Sequence, residues 1–146
     1  MNRVIDEIDC LIEEGKISAN DVVIQGGVSK PSKYAKFYKM IDEAMFNYYV
    51  EKCSLLITHA GTSSIIKGLK RNKKVIIIPR KKKFDEHVDD HQQDIASVFK
   101  KRNYAEIIEN IKDLGYVIDN IFNQHFNVYK PNEELAMYIA KKYFNR

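Results

Sequence analysis

Residues 55–66 read LLITHAGTSSII, and residues 75–80 read VIIIPR. Each begins as a short apolar run and breaks where the chain must turn, at Gly61 in the first and Pro79 in the second. A strand that is apolar on both faces belongs inside a parallel sheet covered by helices. Between the two runs, residues 62–71 read as a helix started by a hydroxyl residue. Strand, helix and strand in this order make the unit of an α/β domain with a parallel sheet.

Working outward, Val4, Ile5, Ile8, Leu11 and Ile12 recur at three and four, which predicts a helix over 2–14 stopped by Gly15. VVIQGG at 22–27 predicts a short buried strand ending in a glycine turn. Residues 28–40 read as a basic, aromatic loop, and 42–52 as a helix with Ala44, Met45, Tyr48 and Tyr49 on its face. Helices are expected over 87–100 and 104–113, the second ended by Gly115. YVIDNIF at 116–122 fits a strand or the start of a helix. Pro131 and Asn132 mark the entry to a last helix, 133–144, with Leu135, Ala136, Ile139 and Tyr143 on one side. The expected organisation is an α/β domain over 1–115 and a helical extension over 116–146. Parallel sheets bind ligands beyond the carboxyl ends of their strands. That rule singles out Gly26–Gly27, His59–Ser64 and Pro79–His91.

The 146 residues suffice for one domain that buries roughly 69% of its unfolded surface. No stretch approaches 18 apolar residues, the length of a membrane span. The acid-rich first residues, MNRVIDEIDCLIEEG, resemble neither a signal nor a transit peptide. Cys10 and Cys53 form no CxxC pair and read as two buried thiols. The net charge of +4 is unevenly spread. Residues 67–83 hold nine bases and no acid, while residues 84–94 hold five acids. Such a basic block suits a phosphate ligand, an anionic membrane surface, RNA, or only solvent. Neither a zinc knuckle, a GXXG clamp nor an RNP-like aromatic strand is present, so no nucleic-acid partner is expected.

Several residue types carry chemistry. His59-Ala60-Gly61-Thr62-Ser63-Ser64 joins a strand to a helix, where free backbone N–H groups and three hydroxyls make an anion site, or merely cap a helix. Arg80 can grip phosphate in a bidentate way, with Lys81, Lys82 and Lys83 as mobile charges behind it. His87 and His91 lie four apart, which on one helix would give them a common face and two ligands toward a metal, although the segment is not HExxH. Gln92 and Gln93 carry donors and acceptors that suit sugar hydroxyls or solvent. The last helix, ELAMYIAKKYFNR, can pack on its own domain, lie on an anionic membrane or dock a partner.

Taken in order, ITHAGTSSII at 57–66, VIIIPR at 75–80 and EHVDDHQ at 86–92 resemble the C-terminal domain of family 28 glycosyltransferases. The closest likeness is to the small catalytic subunit of the two-part enzymes, over about residues 2–100. One such pair adds the second N-acetylglucosamine to a dolichol-linked precursor. Others add a sugar to lipid-linked glucose in bacterial capsule and exopolysaccharide synthesis. The resemblance implies a Rossmann-like GT-B half-domain, with helices on both faces of its sheet, that binds a UDP-sugar donor. It puts Gly61, Thr62, Ser63 and Ser64 against the diphosphate, with His59 near the reacting centre as the catalytic candidate. It puts Arg80 on the nucleotide side, and His87, Asp90, His91, Gln92 and Gln93 toward the donor sugar. No cofactor or bound metal is implied, since helix N-termini and basic groups can stabilise a leaving diphosphate. The implied partners are a lipid-linked saccharide acceptor and a membrane-anchored subunit that holds the chain on the cytoplasmic, inner face of the membrane.

Four departures from the pattern accompany this likeness, besides a tail after about residue 100 that is expected to match the family poorly and to be longer than typical. Relatives open with a strand and glycine-threonine loop, roughly VTVGT, before the helix matching 2–14, whereas here Met1 lies in that helix region. Ser63 stands where relatives carry glycine, Lys67 where a glutamate often holds the ribose, and Asp85 where glycine precedes the EH pair. They motivate a second expectation: a non-catalytic or truncated relative that stabilises or regulates another transferase. A sheet lacking its central strand is also open to cover by a second copy, so a homodimer is a further expected partner.

Overall fold

The computed structural model describes residues 1–131, 137–139 and 141. Among them are five helices, α1 (Asn2–Glu13), α2 (Glu43–Lys52), α3 (Thr62–Lys70), α4 (His91–Lys101) and α5 (Leu114–Ile121). The strands are β1 (Val23–Gln25), β2 (Lys36–Tyr38), β3 (Leu55–Thr58), β4 (Lys74–Ile77) and β5 (Glu106–Ile107). All pairings are parallel, and they fall in two sheets: β1–β2, and β3–β4–β5.

Strand β4 is the spine. Val75, Ile76, Ile77 and Ile78 are each at most 1% exposed, and their alternation feeds two cores. Val75 and Ile77 pack with Ile65 and Leu69 of α3 and Ile95, Ala96 and Phe99 of α4. Ile76 and Ile78 pack with Ile8 and Leu11 of α1 and with Leu114 and Ile121 of α5. Helices thus cover both faces of the three-stranded sheet, which is why β4 has no polar face. Gly68 lets α3 approach closely: a Cβ there would lie 2.8 Å from Leu56 Cδ2 and 3.1 Å from Val75 Cγ2.

Helix α1 ends as its sequence predicts, with Gly15 at φ +72°. Its polar side also does structural work. Asp9, buried, accepts hydrogen bonds from Ser32 Oγ and, at 2.9 Å, from the Lys33 amide, and so holds the loop before β2. Glu7 pairs with Lys112 at 2.9 Å. The Asn2 side chain receives the Lys30 amide.

The structure corrects several expectations. Residues 28–40 are not wholly loop, because 36–38 pair with β1, and the Gly26 and Gly27 amides extend that ladder to Tyr38 and Lys39. Gly26 permits this, since a Cβ there would sit 2.1 Å from the Phe37 ring. Residues 104–113 are not a helix: Glu106 and Ile107 pair with Ile76 and Ile77, and a single 3-10 turn, Ile111–Asp113, follows. Gly115 lies inside α5 rather than ending a helix, and 116–121 is helical. On α2 the inward residue is Val50, while Ala44 and Tyr48 are exposed. Cys10 and Cys53 are free but only half-buried. The last expected helix, 133–144, lies outside the described residues apart from 137–139 and 141, of which Ile139 is buried in the core beside Tyr129.

Candidate functional site

Beyond the carboxyl ends of β3 and β4 lies a cleft of about 550 Å³. One wall is the start of α3, with Gly61, Thr62, Ser63 and Ser64; the other comes from His87, Asp89, His91, Gln92 and Ile95. Gly61 is the N-cap of α3, and a glycine brings no side chain to cap the amides that follow it. The first helical bond is Ile65 N–H to the Gly61 carbonyl, 3.2 Å. The amides of Thr62, Ser63 and Ser64 therefore stand ahead of the intrahelical ladder, with no acid in the first turn to compete for them. Thr62 Oγ1 is buried without a hydrogen-bond partner among the described residues. An uncapped helix start leaves its first amide donors free on the cleft wall.

The opposite wall is organised by an exchange between basic and acidic stretches. Three successive amides after β4 are each received by a side chain from the segment that follows. Arg80 N–H donates to Gln92 Oε1 at 2.9 Å, Lys81 N–H to Glu86 Oε2 at 3.0 Å, and Lys82 N–H to Asp90 Oδ1 at 3.0 Å. Asp85 takes the left-handed conformation at φ +55°, which a glycine would adopt without strain. The acids of 84–94 thus fold the loop that the bases of 80–83 begin. Arg3 of α1 clasps it from below, reaching the Pro79 carbonyl and both carboxylate oxygens of Glu86.

His59 follows β3, and its ring lies against Gly61: a Cβ there would be 2.8 Å from its Cε1. Its Nδ1 is 3.3 Å from Gln92 Nε2. Burial, then the positive charge of Arg80, then His87, push its pKa down to about 4. His59 is therefore neutral at pH 7. Asp89 sits between His87 and His91, 3.3 Å from His87 Nδ1 and 3.8 Å from His91 Nε2. Its carboxyl is held below the usual range chiefly by the His91 amide, 3.0 Å away, with the two imidazoles adding to it.

Of the residues singled out in the sequence, the cleft brings together Gly61, Thr62, Ser63, Ser64, His87, His91 and Gln92. His59 joins through Gln92, and Arg80 contributes its amide and its charge. Asp90 holds the loop, and Gln93 is not among the lining side chains; neither are Gly26 and Gly27. His87 and His91 do not share a helix face, because α4 starts at His91. Among the described residues no group of three or more His, Cys, Asp or Glu is placed to hold a metal. Ala60 and Asp89 also line the cleft; they fall inside the stretches singled out in the sequence but were given no role there, and Ile95, about one helical turn after Gln92, lies outside them. Lys67 turns from the cleft to Glu43, 3.0 Å away.

Comparison with known proteins shows the family. The family model described as "Glycosyltransferase family 28 C-terminal domain" matches residues 2–143, well past the hundred residues or so on which the sequence motifs rest. The chain is 43% identical over 74 residues to the UDP-N-acetylglucosamine transferase subunit ALG13 of Candida albicans. That alignment covers 51% of the chain and 24% of the relative, so the chain spans about a quarter of the length of that protein. No solved structure matches it. With its parallel sheets, flanking helices and a family match over nearly its whole length, the chain belongs to the glycosyltransferase family 28 C-terminal domains.

Proposed function

We propose that this chain is the donor-binding subunit of a glycosyltransferase that moves a sugar from a UDP-sugar to a lipid-linked saccharide, together with a membrane-anchored partner. The observation that carries the reading is the uncapped start of α3, with the buried, orphaned Thr62 hydroxyl at its first residue, on the wall of a cleft of about 550 Å³. The similarity to a subunit named for UDP-N-acetylglucosamine transfer supports UDP as the nucleotide. The amides of Thr62, Ser63 and Ser64 would meet the diphosphate, and Arg80 its nucleotide side. As the glycosidic bond to the sugar breaks, negative charge grows on the leaving diphosphate, and fixed N–H dipoles stabilise it without reorganising. His87, His91 and the Asp89 between them would face the sugar. No helix among the described residues is long and apolar enough to cross a membrane.

Calorimetric titration of the purified chain with UDP, UDP-glucose and UDP-N-acetylglucosamine tests this. Saturable binding is expected; a folded chain that ignores all three overturns it. The non-catalytic reading is favoured by Lys67, which offers a paired cation where relatives have a carboxylate. Sugar transfer by the chain reconstituted with its partner, weakened in Thr62→Val as UDP binding weakens, would exclude that alternative.

A further inference from the structure

We propose that Gln92 is a positioning residue that fixes His59 as the tautomer protonated on Nε2, so that His59 meets its ligand as a hydrogen-bond donor and not as a base. At Gln92 the two ends of the side-chain amide are distinguished by their neighbours. The Arg80 amide can only donate, so the atom 2.9 Å from it must be Oε1. The NH₂ end then faces His59 Nδ1 at 3.3 Å. Two donors cannot face each other, so Nδ1 presents its lone pair, and a neutral imidazole with a bare Nδ1 carries its one hydrogen on Nε2. Gln92 is only 8% exposed, which leaves little room for water to take over either contact.

The chain of constraint runs from the end of β4 to the end of β3: Arg80 backbone, Gln92 amide, His59 ring. Burial and the adjacent Arg80 keep the ring neutral, which the tautomer argument requires. His59 stands behind Gly61 and Gln92, which line the cleft, and its Nε2 has no hydrogen-bond partner among the described residues. A phosphoryl or sugar oxygen in the cleft is the acceptor it suits; this identification of the acceptor, and nothing else here, rests on the donor-site reading. A glutamate at position 92 would have the same shape and opposite logic. One carboxylate oxygen would still receive the Arg80 amide, and the other would draw the imidazole proton to Nδ1, leaving Nε2 as an acceptor.

The test is a two-bond ¹H–¹⁵N correlation on ¹⁵N-labelled chain without ligand at pH 7.5. The chain has four histidines, and His59→Asn assigns the resonance. The expected wild-type pattern is a bare Nδ1 and a protonated Nε2, and Gln92→Glu should reverse it. A wild-type His59 protonated on Nδ1, or an unchanged tautomer in folded Gln92→Glu, overturns the proposal. If Gln92→Glu does not fold, the wild-type spectrum decides alone. UDP titration separates the two readings. The Nε2–H tautomer in a chain that does not bind UDP upholds this inference and overturns the donor site. UDP binding by a chain with Nδ1–H His59 does the reverse. With both intact, Gln92→Glu should weaken UDP about tenfold.

Discussion

Arg3 and Glu86 meet through two parallel hydrogen bonds of 2.9 and 3.0 Å, joining the first helix to the loop after β4 across 83 positions of sequence. Both side chains are largely buried, at 14% and 5% exposure. Removing one charge from such a pair leaves the other buried and uncompensated. Glu86→Gln is expected to cost about 2–3 kcal/mol, and Arg3→Met a similar amount. The double variant should lose less than the sum of the two. Urea unfolding of the four proteins measures this; strict additivity would mean the pair is not coupled.

Lowering the pH should destabilise the chain through His59. Its folded pKa is about 4, below the ordinary 6.5 that it recovers on unfolding. Between those values the unfolded chain binds the proton and the folded one resists it. The stabilisation is therefore complete above about pH 6.5 and is lost as pH falls toward 4. The full difference is up to about 3 kcal/mol. Wild type and His59→Gln, unfolded by urea at pH 7.5, 5.5 and 4.5, should converge as the pH drops. A gap that stays constant would show that His59 titrates normally.

Thr62→Val exchanges the orphaned hydroxyl for a methyl of the same shape. Stability should hold or rise by about 1 kcal/mol, because a buried group without a partner is removed. UDP affinity should fall about tenfold, the equivalent of 1.4 kcal/mol, roughly one hydrogen bond. Thermal unfolding and calorimetry on the same sample report the two effects, and a variant that loses stability but keeps affinity would contradict the assignment.

Gly68→Ala gains helix propensity of about 1 kcal/mol but drives a methyl against Leu56 and Val75. Leu56 is only partly buried and its Cδ2 can swing aside, but Val75, 1% exposed on β4, cannot retreat into an already filled core, so overpacking should win, with a net loss of about 1–2 kcal/mol. Gly68→Ala combined with Val75→Ala should recover part of that loss if Val75 is the obstacle. Denaturant midpoints decide it.

The strands around the site were legible because β3 and β4 are written as unbroken apolar runs, and burial on both faces leaves no other use for Ile76, Ile77 and Ile78. Strand β2 was not, because Lys36-Phe37-Tyr38 reads as basic loop until the fit of Phe37 over Gly26 is known. Residues 104–111 misled for a related reason. Tyr104, Ala105, Ile108 and Ile111 recur at helical spacing, yet two residues of ladder on β4 outweigh that local pattern. At the cleft, the glycine-hydroxyl turn of α3 could be read directly. The work done by Glu86, Asp90 and Gln92 could not, since their partners are backbone amides, which every sequence possesses and none displays.

The division of the strands into two ladders has a consequence for how the molecule opens. No backbone hydrogen bond carries β1–β2 onto β3–β4–β5 among the described residues. The smaller ladder is held by side chains of α1, through Asp9 and Asn2, and by Ile24 against the apolar face shared with Ile8 and Leu11. It should behave as a separate cooperative unit, opening at lower free energy than the rest. In native-state hydrogen exchange, the amides of Gly26 and Gly27 should lose protection at denaturant concentrations that leave Ile76 and Ile77 untouched.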